Sequence, residues 1–289
     1  FYQNRNLDPM NVFMDRVQKE LYQNHPYAKS LADADFDTID MDAVERIFRD
    51  RFADFSDFSF VIVGNFNPEL LKTYCRTYLG NLPCGGRLEK PKDVNIRLRK
   101  GLQSIWFNMG STDRAFASTL LNGKYSYSTK NKVMLDALEF VLNEKLRENI
   151  REERSGVYFI QAWQSTTSYP DSRYNVGTMM GCAPARLKEL NDAIFATLDS
   201  LRAGHIDKRY LVAANATLRQ QFDENIKSNR FWIYQLKSDI WQGRKLASFL
   251  DEPAFFDQID LKNIAKAAKK YLRFGKNQLS VFMLPQVQE

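Results

Sequence analysis

Residues 58–64, Phe-Ser-Phe-Val-Ile-Val-Gly, read as a buried β-strand set among helices, and no second strand pattern appears in the first 88 residues. A lone strand leaves its backbone N–H and C=O groups without a ladder. Either residues 1–88 end a larger α/β unit or they borrow a sheet from elsewhere. Around the strand, Met10, Phe13, Met14, Val17 and Leu21 keep helical spacing up to Asn24-His25-Pro26. A second helix is expected from Asp40 or Asp42, with Val44, Ile47 and Phe48 on one face, and a third is capped by Asn67 with Pro68 in its first turn.

The segment 81–93, Asn-Leu-Pro-Cys-Gly-Gly-Arg-Leu-Glu-Lys-Pro-Lys-Asp, reads as a linker. Beyond it, strands are expected at 94–100, 103–110 and 116–123. A long helix follows from Thr129 to about Glu153, burying Val133, Met134, Ala137, Leu138, Val141, Leu142 and Leu146. Further strands at 157–165 and 174–182 precede a helix opened by Pro184, a mostly helical stretch 206–242, a helix at 260–273 and a last strand at 278–285. This order predicts an α+β fold, a mostly antiparallel sheet with helices packed on one face. Two parts are expected, residues 1–88 and 89–289.

Composition excludes several classes. With 289 residues, 44% of them hydrophobic, the chain can bury a substantial core. No apolar run is long enough to span a membrane, and the first residues have neither the basic nor the apolar region of a signal peptide; the chain starts without Met and reads as a fragment. The net charge of +6 is uneven, 10 Lys and Arg against 13 Asp and Glu up to residue 88, then 31 against 22. The excess cations are dispersed among acids, so nucleic acid is not an expected partner. Cys75, Cys84 and Cys182 have no metal-ligand or redox spacing. The two histidines, His25 and His205, lack a ligand-spaced companion; no H-E-x-x-H, H-x-x-E-H, G-x-S-x-G or phosphate-cradling glycine loop occurs. The residues themselves describe an α+β protein without an autonomous active site.

Three segments resemble the pitrilysin/insulinase family of zinc metallopeptidases: NHPYA (24–28), AVERIFRDRFADFSDFSFVIVGNFNPELLKTYCRTYLGNLP (43–83) and LRENIREERSGVY (146–158). The resemblance implies mitochondrial-processing-peptidase-like lobes paired into halves that close around a peptide. Residues 1–88 would end one lobe, whose remaining strands precede Phe1, and 89–289 would form a complete final lobe. The family's zinc ligands, an inverted H-x-x-E-H and a downstream Glu, lie in the N-terminal half, so no metal is expected in this chain and zinc is expected in that missing half. The implied partners are the zinc-binding half, in the same protein or as a partner subunit, and a peptide substrate. A periplasmic location is suspected on the same ground.

The resemblance also implies two substrate-binding residues, an Arg and a Tyr with six residues between them, which fall on Arg151 and Tyr158. A guanidinium and a phenol can donate to a substrate carbonyl or a developing oxyanion. Gly156 is expected in a left-handed conformation that, with Ser155, turns helix into strand and aims the pair. Spacing by itself also fits a solvated helix end, with Arg147 or Arg151 paired to a glutamate one turn away and Tyr158 in the core. The implied function is the non-catalytic C-terminal half of a zinc metalloendopeptidase, inactive as this chain alone. The alternative is a zinc-less scaffold or regulatory module.

Overall fold

The computed structural model describes residues 2–29, 36–110, 113–152 and 156–286. In chain order the main elements are α1 (Pro9–Leu21), α2 (Met41–Arg51), α3 (Pro68–Tyr74), β1 (Leu102–Asn108), β2 (Ala115–Lys124), α4 (Thr129–Leu146), β3 (Val157–Thr167) and β4 (Arg173–Cys182). They continue with α5 (Leu187–Ala203), α6 (Lys208–Asn225), α7 (Asn229–Trp241), α8 (Pro253–Phe256), α9 (Leu261–Tyr271) and β5 (Gln278–Leu284). Helix starts follow the side-chain chemistry. Asp8, Asp40, Asn67, Ser128 and Asp260 each accept a backbone N–H of their own first turn.

Two compact units emerge, Phe1–Asp33 with Val94–Phe222 and Phe249–Glu289, and Ala34–Asp93 with Asp223–Ser248. The first holds a five-stranded sheet in the order β1-β5-β2-β4-β3. β1 and β5 are parallel and every other neighbouring pair is antiparallel, the α+β, mostly antiparallel architecture expected; the helices, expected on one face, pack on both, α1 on one side and α4, α5 and α9 on the other. β1 and β2 do not pair with each other: β5, the last strand of the chain, lies between them.

Side chains alternate across this sheet. On one face Phe116, Leu120, Leu279, Val281 and Met283 form a core with Phe13, Val17 and Leu21 of α1. Ala117, Leu121, Val176 and Met180 alternate with them and are buried too, on the side of α4, α5 and α9, which contact β3 or β2. α4 buries the seven side chains expected and Leu135 as well, because it lies between the sheet and the helices α5 and α9. On β4, a Cβ built on Gly177 would lie 2.4 Å from the Trp163 ring and one on Gly181 2.5 Å from Phe159, so the glycines let aromatic side chains cross the strand.

Two expected strands are corrected. Residues 94–100 form no strand: Asn95 is left-handed at φ +63°, Leu98 is buried in the α1 core, and the Arg99 N–H donates to Leu21 O at 2.8 Å. Residues 58–64 are not in a strand either. No described strand pairs with them, and Phe58, Phe60 and Ile62 are exposed.

In that second unit, part of the expected linker is tied down. Asp54 accepts Gly85 and Arg87 N–H at 3.0 and 3.1 Å, and Arg87 forks onto Asp50. Hydrogen bonds from the Ser56 hydroxyl and N–H, the leading causes, hold the Asp54 carboxyl down at about 2.

Gly177→Val should destabilise the chain by about 1–3 kcal/mol, because Trp163 must be displaced. Urea unfolding checks this, and an unchanged midpoint would show that the ring relocates without cost.

Candidate functional site

The charge-dense end of α4 is where the expected pair lies. After Leu146 the helix widens into a π-helical turn, Arg147–Glu152, with Ile150 fully buried as its anchor. Most polar groups here are committed. Lys145 Nζ donates to His205 O at 2.7 Å and to Ser200 Oγ at 3.1 Å. Arg147 bridges Glu144 and Glu152 at 2.6 and 2.9 Å. Glu148 accepts Arg209 Nη2 at 2.6 Å and the Tyr210 hydroxyl; the hydrogen bond from Tyr210, then that from Arg209, lowers its carboxyl below the usual range.

Arg151 is the exception: exposed, with no ion pair or hydrogen bond among the described residues. Glu153, Arg154 and Ser155 lie outside the described residues, and with them half of the expected Ser155-Gly156 turn. Gly156 itself has φ +77°, the left-handed conformation expected. A side chain there would also meet the Arg186 guanidinium at 2.9 Å.

Tyr158 is exposed, at 54%, and not a core residue. The strand pairing explains this. Val157 and Phe159 oppose the consecutive residues Cys182 and Gly181, so Tyr158 is the extra residue of a β-bulge, which re-aims its side chain. The Arg114 guanidinium lies over its ring, 5.2 Å from the centroid. No sequence pattern singled out Arg114, since the pairing depends on the approach of β2 and β3 across β4.

β3 is an edge strand, and α4 seals part of its edge. Asn143 Oδ1 accepts the Ala162 N–H at 2.8 Å and Asn143 Nδ2 donates to Ala162 O at 2.9 Å. Ala162 is fully buried, so without Asn143 two backbone groups would be unsatisfied. One turn before Asn143, burial, and then the neighbouring Asp136, push the Glu139 carboxyl up to about 7.

Nothing here gathers a metal. Among the described residues, no group of three or more His, Cys, Asp or Glu could hold an ion. His25 Nδ1 accepts the Tyr27 N–H at 3.3 Å and so caps a short turn. Burial pushes the Cys182 thiol up to about 11, the reverse of an activated thiolate. Among the described residues no set of side chains fits a zinc ion, and no step through zinc is assigned to them. No helix among the described residues is long and apolar enough to cross a membrane.

The α+β lobe with its five-stranded, mostly antiparallel sheet has the fold of the peptidase M16 inactive domain, as in the crystal structure of that domain from Pseudomonas fluorescens (TM-score 0.76 at 16% identity, over 100% of this chain and 68% of that one). Residues 38–218 match the family described as the peptidase M16 inactive domain, and the chain belongs to that family, the pitrilysin-like zinc peptidases. It is 23% identical over 224 residues to the probable zinc protease PqqL of Haemophilus influenzae, covering 76% of this chain and 24% of that protein. The crystal structure of the periplasmic protease PqqL from Escherichia coli superposes with TM-score 0.78 at 20% identity, over 98% of this chain and 31% of that one. The first half of that protease, as a separate crystal structure, superposes with TM-score 0.72 at 13% identity, over 98% of this chain and 65% of that one. The chain thus spans about a quarter of the length of the curated relatives it matches.

Asn143→Leu should cost roughly 2–4 kcal/mol, since both Ala162 backbone groups lose their partner; thermal unfolding with and without the substitution measures it. Glu139 carries the opposite sign. Its folded-state value, about 7, lies above the ordinary 4.5, so the charged carboxylate opposes folding at pH 8. Glu139→Gln should raise the unfolding midpoint at pH 8, with the gain shrinking as pH falls through 7 and gone below about 4.5. Melts across that range check the sign, and a pH-independent difference would contradict it.

Proposed function

We propose that this chain is the non-catalytic C-terminal half of a pitrilysin-like zinc metalloendopeptidase. In this reading it closes the substrate chamber of a zinc-bearing half and presents Arg151 and Tyr158 to the bound peptide. The observation that carries the reading is the state of the two side chains. Arg151 is exposed with no described partner where its neighbours Arg147 and Glu148 are paired, and Tyr158 is turned outward by a bulge. Two donor groups with no hydrogen-bond partner among the described residues would suit a site completed by a ligand.

Chemically, the chain's own part would be to bind and orient. The Arg151 guanidinium would donate to a peptide carbonyl, and the Tyr158 hydroxyl to the carbonyl oxygen as it gains charge. The Arg114 guanidinium over the Tyr158 ring would favour a fixed phenol position. Zinc, supplied by the other half, would polarise the scissile carbonyl and activate water.

The same reading takes residues 1–88 as the end of a preceding lobe and 89–289 as a complete lobe. The stretch 58–64, which pairs with no described strand and exposes Phe58, Phe60 and Ile62, supports it: strands from upstream would pair its backbone and cover its apolar side chains. The Escherichia coli relative is called a periplasmic protease, and we carry that compartment over with the function.

The test is peptide cleavage by this chain alone, by the zinc-bearing half alone and by both together. Only the combination should turn over. Tyr158→Phe and Arg151→Ala should each slow it by about 3 kcal/mol of transition-state stabilisation without lowering the unfolding midpoint. Turnover by this chain alone, or wild-type rates in both variants, would overturn the reading.

A further inference from the structure

Helix α7 exposes three rows of side chains, each repeating at seven positions: Arg230 and Lys237, Ile233 and Ile240, Tyr234 and Trp241. All six are exposed, Tyr234 at 68% and Trp241 at 74%. Helical spacing sets the cations as the middle row, with isoleucines on one side and aromatics on the other. The stripe contains no acid. Asp239, the one acid within the helix, faces inward and is 2% exposed, accepting the Ser248 N–H at 3.3 Å and its hydroxyl at 3.2 Å. Arg230 and Lys237 form no ion pair among the described residues. The stripe is thus apolar, aromatic and positively charged at once, and none of its six side chains is needed by a described ionic contact.

We infer that this face of α7 docks an acidic amphipathic helix of a partner segment, acids meeting the Arg230–Lys237 row and apolar residues meeting the rows beside it. A seven-residue repeat over two turns is the seam that a second helix can follow. Tyr, Trp and Arg are the residue types that anchor protein interfaces. The central cations decide between a helix and a lipid surface. A membrane-bound helix keeps its cations at the margins of its apolar face, whereas insertion of this stripe would drive Arg230 and Lys237 into the acyl layer first. An acidic helix meets them in register. This inference is independent of the peptidase reading, since it uses neither Arg151 nor Tyr158.

The probe is a fluorescein-labelled synthetic helix of Leu and Glu in heptads, titrated against the full chain by anisotropy. Its lysine-for-glutamate counterpart and phosphatidylglycerol vesicles serve as comparisons. The acidic helix should bind, more weakly as salt rises, and the lysine helix should not. Arg230→Glu with Lys237→Glu should weaken binding at least roughly tenfold, and Trp241→Ala should weaken it comparably, with circular dichroism melts unchanged. Equal binding of both helices, no effect of the charge reversal, vesicle binding in place of peptide binding, or a concentration-dependent dimer abolished by Trp241→Ala would each overturn the proposal.

Discussion

The insertion of β5 between β1 and β2 is the contact on which the sheet-containing unit depends. β5 joins one strand in parallel and the other antiparallel, and its residues Leu279, Val281 and Met283 supply the centre of the core beneath α1. Until the last strand of the chain is in place, β1 has no neighbour and the α1 side of the core lacks its middle. Such long-range pairing imposes a loop-closure cost that the contacts of β5 must offset. It also explains the burial of α1 although eighty residues, 22–101, separate it from the first strand.

The second dependence is at the other edge. β3 carries Tyr158 at its start and would present an open row of backbone groups. Asn143 occupies two of these from α4, so the helix that leads to Arg151 also fixes the strand that leads from Gly156. Arg151 and Tyr158 are therefore carried by mutually anchored elements, joined by a short connection that includes a left-handed glycine. The Asn143 tie between the two elements would serve the proposed binding pair.

Much of this was legible in the residues because it is local. The capping residues Asp40 and Asn67, the stripe from Val133 to Leu146 and the paired runs of β3 and β4 are short-range patterns, and the structure follows them. What was not legible depends on distant partners. The run 58–64 has the composition of a strand, yet no described strand adjoins it. Residues 94–100 alternate like a strand, but Asn95 and the end of α1 draw them away from the sheet. The bulge that exposes Tyr158 is visible only in the pairing with Cys182 and Gly181, and Arg114 reaches its ring by a route that no spacing rule describes. For the charged stretch after Leu146, sequence left open which cations are structural; the partners of Arg147 and the lack of a described one for Arg151 separate them.

The central claim is that Tyr158 faces a peptide in the assembled protein. A photo-crosslinking phenylalanine analogue at position 158, in this chain combined with its zinc-bearing half, tests it most directly. The account predicts that irradiation joins position 158 to a bound, uncleaved peptide, and that excess unlabelled peptide suppresses the product. Crosslinks only to solvent or to the protein itself, while the same peptide is demonstrably bound, would contradict it.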